Sequence, residues 1–290
     1  MSIQRVYVLG AGLMGHGIAQ VSAQAGKRVT LADRTTELAD RGKQRIADNL
    51  AQRVERRRLE ASAADDLLAR VETATGTDAA GGHDLVVEAI YEDERLKRET
   101  WQRLSAAADP DAIFASNTSS ISITSLATAT DRADRFIGLH FFSPVPVMKL
   151  IEIVRGLETS EATYEACRGF AKELGKTVIE SKDYPGFIVN RMLAPFINEA
   201  VFALMEGTGT REHIDTGARL GLNHPMGPLE LCDFIGNDVM LGVLDVLYDG
   251  FRDPKFRAAP LLRQMVTAGH LGRKAGRGFY RYDERGNKTG

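Results

Sequence analysis

The chain has 290 residues, with 37 Lys and Arg against 39 Asp and Glu, a formal charge of −2 at pH 7. Its 43 % hydrophobic and 26 % charged residues are an ordinary globular balance. The length suits two domains and is too short for a fusion of several enzymes. Near-neutral charge argues against bulk attraction to nucleic acid or an anionic membrane, so neither is expected as a partner. No uncharged apolar stretch is long enough to span a bilayer, and the N-terminus lacks the pattern of a secretory signal. Cys167 and Cys232 lie far apart, without Cys or His at metal-ligand spacing. Free thiols in a reducing cytoplasm, and no metal site, are the expectation.

Residues 5–10 form a β-rich run that stops at Gly10. A helix pattern follows through Leu13, Met14, Ile18 and Val21, ending near Gly26. Residues 28–32 then read as a second strand with Asp33 at its end. Residues 36–58 form a long polar helical stretch, richer in charge than a helix against a sheet should be, and are expected to project from the body. Further strands are predicted at 71–74, 84–89, 112–116, 135–142 and 149–154, with a helix at 94–107. Alternating strands and helices imply an α/β domain with a mainly parallel sheet covered on both faces. Beyond about residue 185 the pattern becomes all-helical, at 187–205, 211–220, 229–248 and 260–268. The domains are therefore placed at 1–184 and 185–290, with Asp183-Tyr184-Pro185-Gly186 as the boundary.

Gly10-Ala11-Gly12-Leu13-Met14-Gly15 matches G-x-G-x-x-G between a strand and a helix, and Asp33 follows 18 residues after Gly15. That context signals a dinucleotide site. Gly10 permits the tight turn, Gly12 lets a diphosphate approach the backbone, and Gly15 lets the helix pack on the strands. Backbone N–H groups around Leu13 and Met14 would hold the diphosphate. Asp33 would accept from ribose hydroxyls and repel a 2′-phosphate, favouring NAD, although Arg34 next to it could receive such a phosphate.

Two ionisable residues interrupt apolar strands: His140 in Phe136-Ile137-Gly138-Leu139-His140-Phe141-Phe142, and Glu152 in Leu150-Ile151-Glu152-Ile153-Val154. A buried carboxylate needs a hydrogen-bonded partner, and His140 is the candidate. A carboxylate on one imidazole nitrogen fixes the tautomer and leaves the other nitrogen to act as base. Asn117-Thr118-Ser119-Ser120 follows a strand end, where open α/β sheets bind ligands. Asn190 opens the first helix of the second domain, and Glu92 and Lys97 flank the helix after the Val86-Val87 strand. Taken singly, each has an ordinary explanation as a core group, a helix cap or surface charge.

Together these segments resemble the 3-hydroxyacyl-CoA dehydrogenases, and within them the short single-function 3-hydroxybutyryl-CoA dehydrogenases. The resemblance is also carried by Pro144-Val145-Pro146-Val147-Met148-Lys149-Leu150, Pro185-Gly186-Phe187-Ile188-Val189-Asn190-Arg191, His224-Pro225-Met226-Gly227-Pro228 and Gly276-Arg277-Gly278-Phe279-Tyr280. It implies a Rossmann-type NAD domain followed by a helical domain that forms a homodimer. It implies His140 as catalytic acid/base with Glu152 as its partner, and Ser119 and Asn190 as further catalytic residues. Glu92, Lys97 and Asn117 fall where the family contacts the cofactor. The implied reaction is reversible oxidation of an (S)-3-hydroxyacyl-CoA, in fatty acid metabolism. One departure stands out: the family usually has Asn after His-Phe-Phe, and this chain has Ser143. Arg53, Arg56, Arg57 and Arg58 are candidates for the CoA nucleotide. Two alternatives stay open: a related dehydrogenase of free hydroxy acids or carrier-bound acyl groups, and a non-catalytic NAD-binding protein on the same scaffold.

Overall fold

The structure, a computed structural model, describes residues 2–289. It divides into two compact units, residues up to Asp183 and residues from Tyr184 onward.

The first unit alternates strands and helices: β1 (Arg5–Leu9), α1 (Leu13–Gln24), β2 (Arg28–Asp33), α2 (Thr36–Glu55), α3 (Ala61–Ala69), β3 (Val71–Thr75), β4 (Leu85–Glu88) and α4 (Glu94–Ala107). It continues with β5 (Ile113–Ser116), α5 (Ile123–Ala127), β6 (Phe136–Phe141), β7 (Leu150–Arg155), α6 (Glu161–Glu173) and β8 (Thr177–Lys182). The strands make one eight-stranded sheet in the order β3-β2-β1-β4-β5-β6-β7-β8. All neighbours run parallel except β6 and β7, which are antiparallel. Every residue of β4, β5 and β6 is buried, which is why these strands read as near-continuous apolar runs. The chain order reverses at β1, between β2 and β4, and ligands of open sheets bind at the carboxyl ends beside such a reversal.

The long helix α2 does not stand away from the body as its charge suggested. Ala39, Gly42, Ile46 and Leu50 form a buried stripe at helical spacing, and α2 packs on β2, β3, α1 and α3. A narrow stripe suffices because the other faces of the helix stay in water. The elements that the sequence reading did not predict include α3, α6 and β8. In β8 only Ser181 is fully buried, so the strand carries little apolar signal.

The second unit contains α7 (Val189–Met205), α8 (Arg211–Thr216), α9 (Pro228–Ile235), α10 (Asn237–Phe251) and α11 (Pro260–Thr267). Residues 229–248, read as a single helix, are two. Gly236 at φ 110° ends α9 and starts α10, a conformation that strains other residues. The core is built from Ile197, Val201, Leu229, Leu244, Leu247 and Leu262 among others.

Asp233, 1 % exposed, ties the tail to this core. It accepts hydrogen bonds from the Phe279 and Tyr280 amides at 2.9 Å each, from Tyr282 Oη at 3.0 Å and from Asn237 Nδ2 at 3.1 Å. Burial raises its carboxyl above the usual aspartate value, although these bonds favour the charged form. Asp233→Ala leaves buried donors without an acceptor and should cost roughly 3 kcal/mol. Thermal unfolding checks this, and an unchanged melting temperature would contradict the role.

Candidate active site

The antiparallel register of β6 and β7 sets His140 directly opposite Glu152. Opposed residues project to the same face of a sheet, so the two side chains meet. His140 Nδ1 lies 2.8 Å from Glu152 Oε2, with the residues 6 % and 0 % exposed. A carboxylate in its ionised form can only accept, so with that form of Glu152 the donor in this bond is the Nδ1–H of the imidazole. The ring of Phe142 packs against the imidazole at 4.5 Å.

The ends of β4 and β5 carry a second polar cluster. Asn117 Oδ1 accepts from the Phe141 amide at 3.0 Å, which ties the turn after β5 to the residue following His140. Glu92 Oε1 accepts from the Thr118 hydroxyl, the Ser119 amide at 3.1 Å and Ser120 Oγ at 3.0 Å. Lys97 approaches Glu92 Oε2 at 3.2 Å. Burial opposes the charge of Glu92, but Lys97 and these hydroxyls outweigh it and hold its carboxyl below the usual glutamate range.

Lys97 is itself only 1 % exposed, and its main counterion is Glu88, 0 % exposed, at 2.5 Å. The other contacts of Glu88 are Ser116 Oγ and the Ile90 amide, each at 2.8 Å. Glu88 and Ser116 were not among the sequence-predicted site residues. The signal for Glu88 was the same as for Glu152: a carboxylate in an apolar strand, here Leu85-Val86-Val87-Glu88.

The glycine turn has the form the fingerprint requires. Gly10 sits at φ 102°, and a Cβ there would lie 2.5 Å from the Ala89 carbonyl. A Cβ on Gly15 would strike the Gly10 carbonyl at 1.6 Å, so the helix closes tightly on the turn. A Cβ on Gly12 would meet nothing within 4 Å, so the outer side of the turn is open. Leu13 and Met14 open α1 directly behind it. Asp33 accepts from the Ala11 amide and from the Arg34 amide, both at 2.8 Å, which fixes its carboxylate at the turn. An open turn, a helix start and a held carboxylate fit a dinucleotide.

A cleft of about 930 Å³ lies between α1, the α2–α3 hairpin and residues 144–147. Arg53, Arg56 and Arg58 line it, as does Arg70, which follows the unpredicted α3. Arg57, the fourth candidate, is absent from the lining and adopts a left-handed conformation at φ 52°. Asn190 occupies the first turn of α7 and belongs to the second unit. Ser143 is exposed, just before the bend that closes the cleft.

Two family models match the chain: the NAD binding domain of 3-hydroxyacyl-CoA dehydrogenase over residues 5–184 and its C-terminal domain over residues 186–282. The chain belongs to the 3-hydroxyacyl-CoA dehydrogenase family. A 3-hydroxybutyryl-CoA dehydrogenase of Bradyrhizobium diazoefficiens is 50 % identical over 280 residues, covering 97 % of this chain and 96 % of its own. The mitochondrial hydroxyacyl-coenzyme A dehydrogenase of Rattus norvegicus is 44 % identical, covering 97 % and 91 %. The crystal structure of (S)-3-hydroxybutyryl-CoA dehydrogenase from Ralstonia eutropha superposes with a TM-score of 0.95 at 48 % identity, covering 98 % of this chain and all of that one.

The family's cofactor is NAD, and the held Asp33 carboxylate is the group expected to favour it over NADP. Asp33→Ala should weaken NADH binding about tenfold or more and relax discrimination against NADPH. Fluorescence titration with both nucleotides checks this. A wild-type preference for NADPH would contradict the role of Asp33.

Proposed function

We propose that this family member is selective for short chains, interconverting (S)-3-hydroxybutyryl-CoA and acetoacetyl-CoA with NAD as the redox partner. The observation that carries the reading is the buried His140–Glu152 pair, an imidazole held against a carboxylate on the same sheet as an open dinucleotide turn. The 3-hydroxybutyryl-CoA dehydrogenases to which the chain is similar at about half identity support the short chain.

In the oxidative direction His140 Nε2 takes the proton of the C3 hydroxyl as C3 gives up its hydride. Bound NAD supplies the acceptor for that hydride. Glu152 stabilises the imidazolium that forms and keeps the ring from turning. Ser119 and Asn190 hold the substrate oxygens, and such positioning contributes much of the rate. The residues that hold the cofactor are Gly10, Gly12, Leu13, Met14 and Gly15 at the diphosphate and Asp33 at the ribose, with Glu92, Lys97 and Asn117 as further contacts. Lys97 is held in place by Glu88 and Glu92.

The phosphates of CoA are assigned to the arginine-lined cleft, because four guanidinium groups face one concave surface of an otherwise near-neutral chain. The helical unit is assigned to homodimer formation. It exposes Met192, Leu220, Leu222, Phe234 and Val239, each about half exposed or more. No helix is long and apolar enough to cross a membrane among the described residues, and the cytoplasm is the proposed compartment.

The deciding experiment follows NADH and NADPH oxidation with acetoacetyl-CoA, longer 3-ketoacyl-CoAs and free acetoacetate. Acetoacetyl-CoA with NADH should be the best pair and free acetoacetate should not react. Equal rates on the free acid would favour the hydroxy-acid alternative, and NADH binding without any turnover would favour the non-catalytic one. His140→Gln should lower kcat by about 10²–10⁴-fold while retaining NADH affinity. Near wild-type kcat in that variant would end the proton-transfer assignment.

A further inference from the structure

The strand carrying His140 and the strand carrying Glu152 are joined by a bend that holds Pro144 and Pro146. Two prolines leave this segment short of N–H donors. The amides of Val147 and Met148 both turn back to the Pro144 carbonyl, at 2.9 and 3.0 Å. The carbonyls of Val145 and Met148 therefore need donors from elsewhere.

Lys176 supplies them. Its Nζ donates to the Val145 carbonyl and to the Met148 carbonyl, each at 2.6 Å. Among the described residues its ammonium makes no ion pair with a carboxylate. Lys176 is well placed to act as a fixed post. Its own amide bonds the Ala171 carbonyl at the end of α6, and the next amide, of Thr177, bonds the Lys149 carbonyl at 2.7 Å. Partial burial lowers the pKa of Lys176 from the usual lysine value. On the opposite side the bend is pressed onto α1. Val145 is 2 % exposed, and a Cβ on Gly17 would lie only 2.8 Å from Val145 Cβ. Pro144, Val145, Pro146 and Val147 then form one wall of the cleft whose other walls carry Arg53, Arg56, Arg58 and Arg70.

We propose that Lys176 is a positioning residue for acyl-CoA: its ammonium pins the Val145 and Met148 carbonyls and so sets the wall of the arginine-lined cleft. The proposal rests on the assignment of CoA to that cleft. Lys176 touches neither His140 nor the glycine turn, so its effect should fall on the handle of the substrate and spare both the proton transfer and the cofactor.

The test compares acetoacetyl-CoA with acetoacetyl-N-acetylcysteamine, a thioester that ends before the nucleotide, in wild type, Lys176→Met and Lys176→Arg. Lys176→Met should raise KM for acetoacetyl-CoA about tenfold, with kcat, KM for NADH and KM for the truncated thioester all within about twofold of wild type. A guanidinium keeps donors for the two carbonyls but is planar and bulkier than an ammonium, so Lys176→Arg should give a smaller rise with the same selectivity. If Lys176→Met does not fold, Lys176→Arg decides: a rise confined to acetoacetyl-CoA supports the proposal. Unchanged values, or equal rises for both thioesters and NADH, overturn it. Equal KM values for the two thioesters in the wild type would instead overturn the assignment of CoA to the cleft.

Discussion

A buried carboxylate in a sheet must be compensated, and this sheet buries two of them completely. Glu88 and Glu152 are each 0 % exposed. Leaving either without a partner would cost several kcal/mol. Glu152 meets an imidazole, Glu88 meets an ammonium, a hydroxyl and an amide, and the two solutions differ in consequence. An imidazole can serve as an acid or a base, whereas the ammonium serves here as a counterion. In the proposed mechanism one buried carboxylate supports proton transfer, while the other holds a cation and the turn beside it. The antiparallel step between β6 and β7 is what permits the first, because it sets His140 and Glu152 face to face.

The same device recurs outside the reacting centre. Asp33 gathers two amides at the glycine turn, Asp233 gathers the tail of the helical unit, and Lys176 gathers two carbonyls of a proline-rich bend. In each case a charged side chain satisfies backbone groups that no strand or helix serves. Loops held this way keep a defined shape at the surface, where ligands are met.

Much of this was legible in the residues themselves. The glycine fingerprint with Asp33, the polar interruptions at His140 and Glu152, and the change to helices near Asp183 all have local signals. The eight-stranded sheet and the match to both family models agree with that reading of fold and reaction. What was hidden depends on pairing or on weak amphipathicity. Arg70 joins the cleft only because α3 folds back, and α3 carries a single buried residue, Leu67. The break at Gly236 was masked by apolar residues that continue on both sides of it. The importance of Lys176 depends on carbonyl directions, which no residue pattern encodes.

The central claim is that Glu152 fixes the tautomer of His140. Histidine ¹⁵N NMR on the labelled protein, with His140→Gln to assign the ring, tests it most directly. At a pH where the imidazole is neutral, Nδ1 should show the shift of a protonated nitrogen and Nε2 that of an unprotonated one, and Glu152→Gln should perturb that balance. A neutral ring carrying its proton on Nε2 in the wild type would contradict the account.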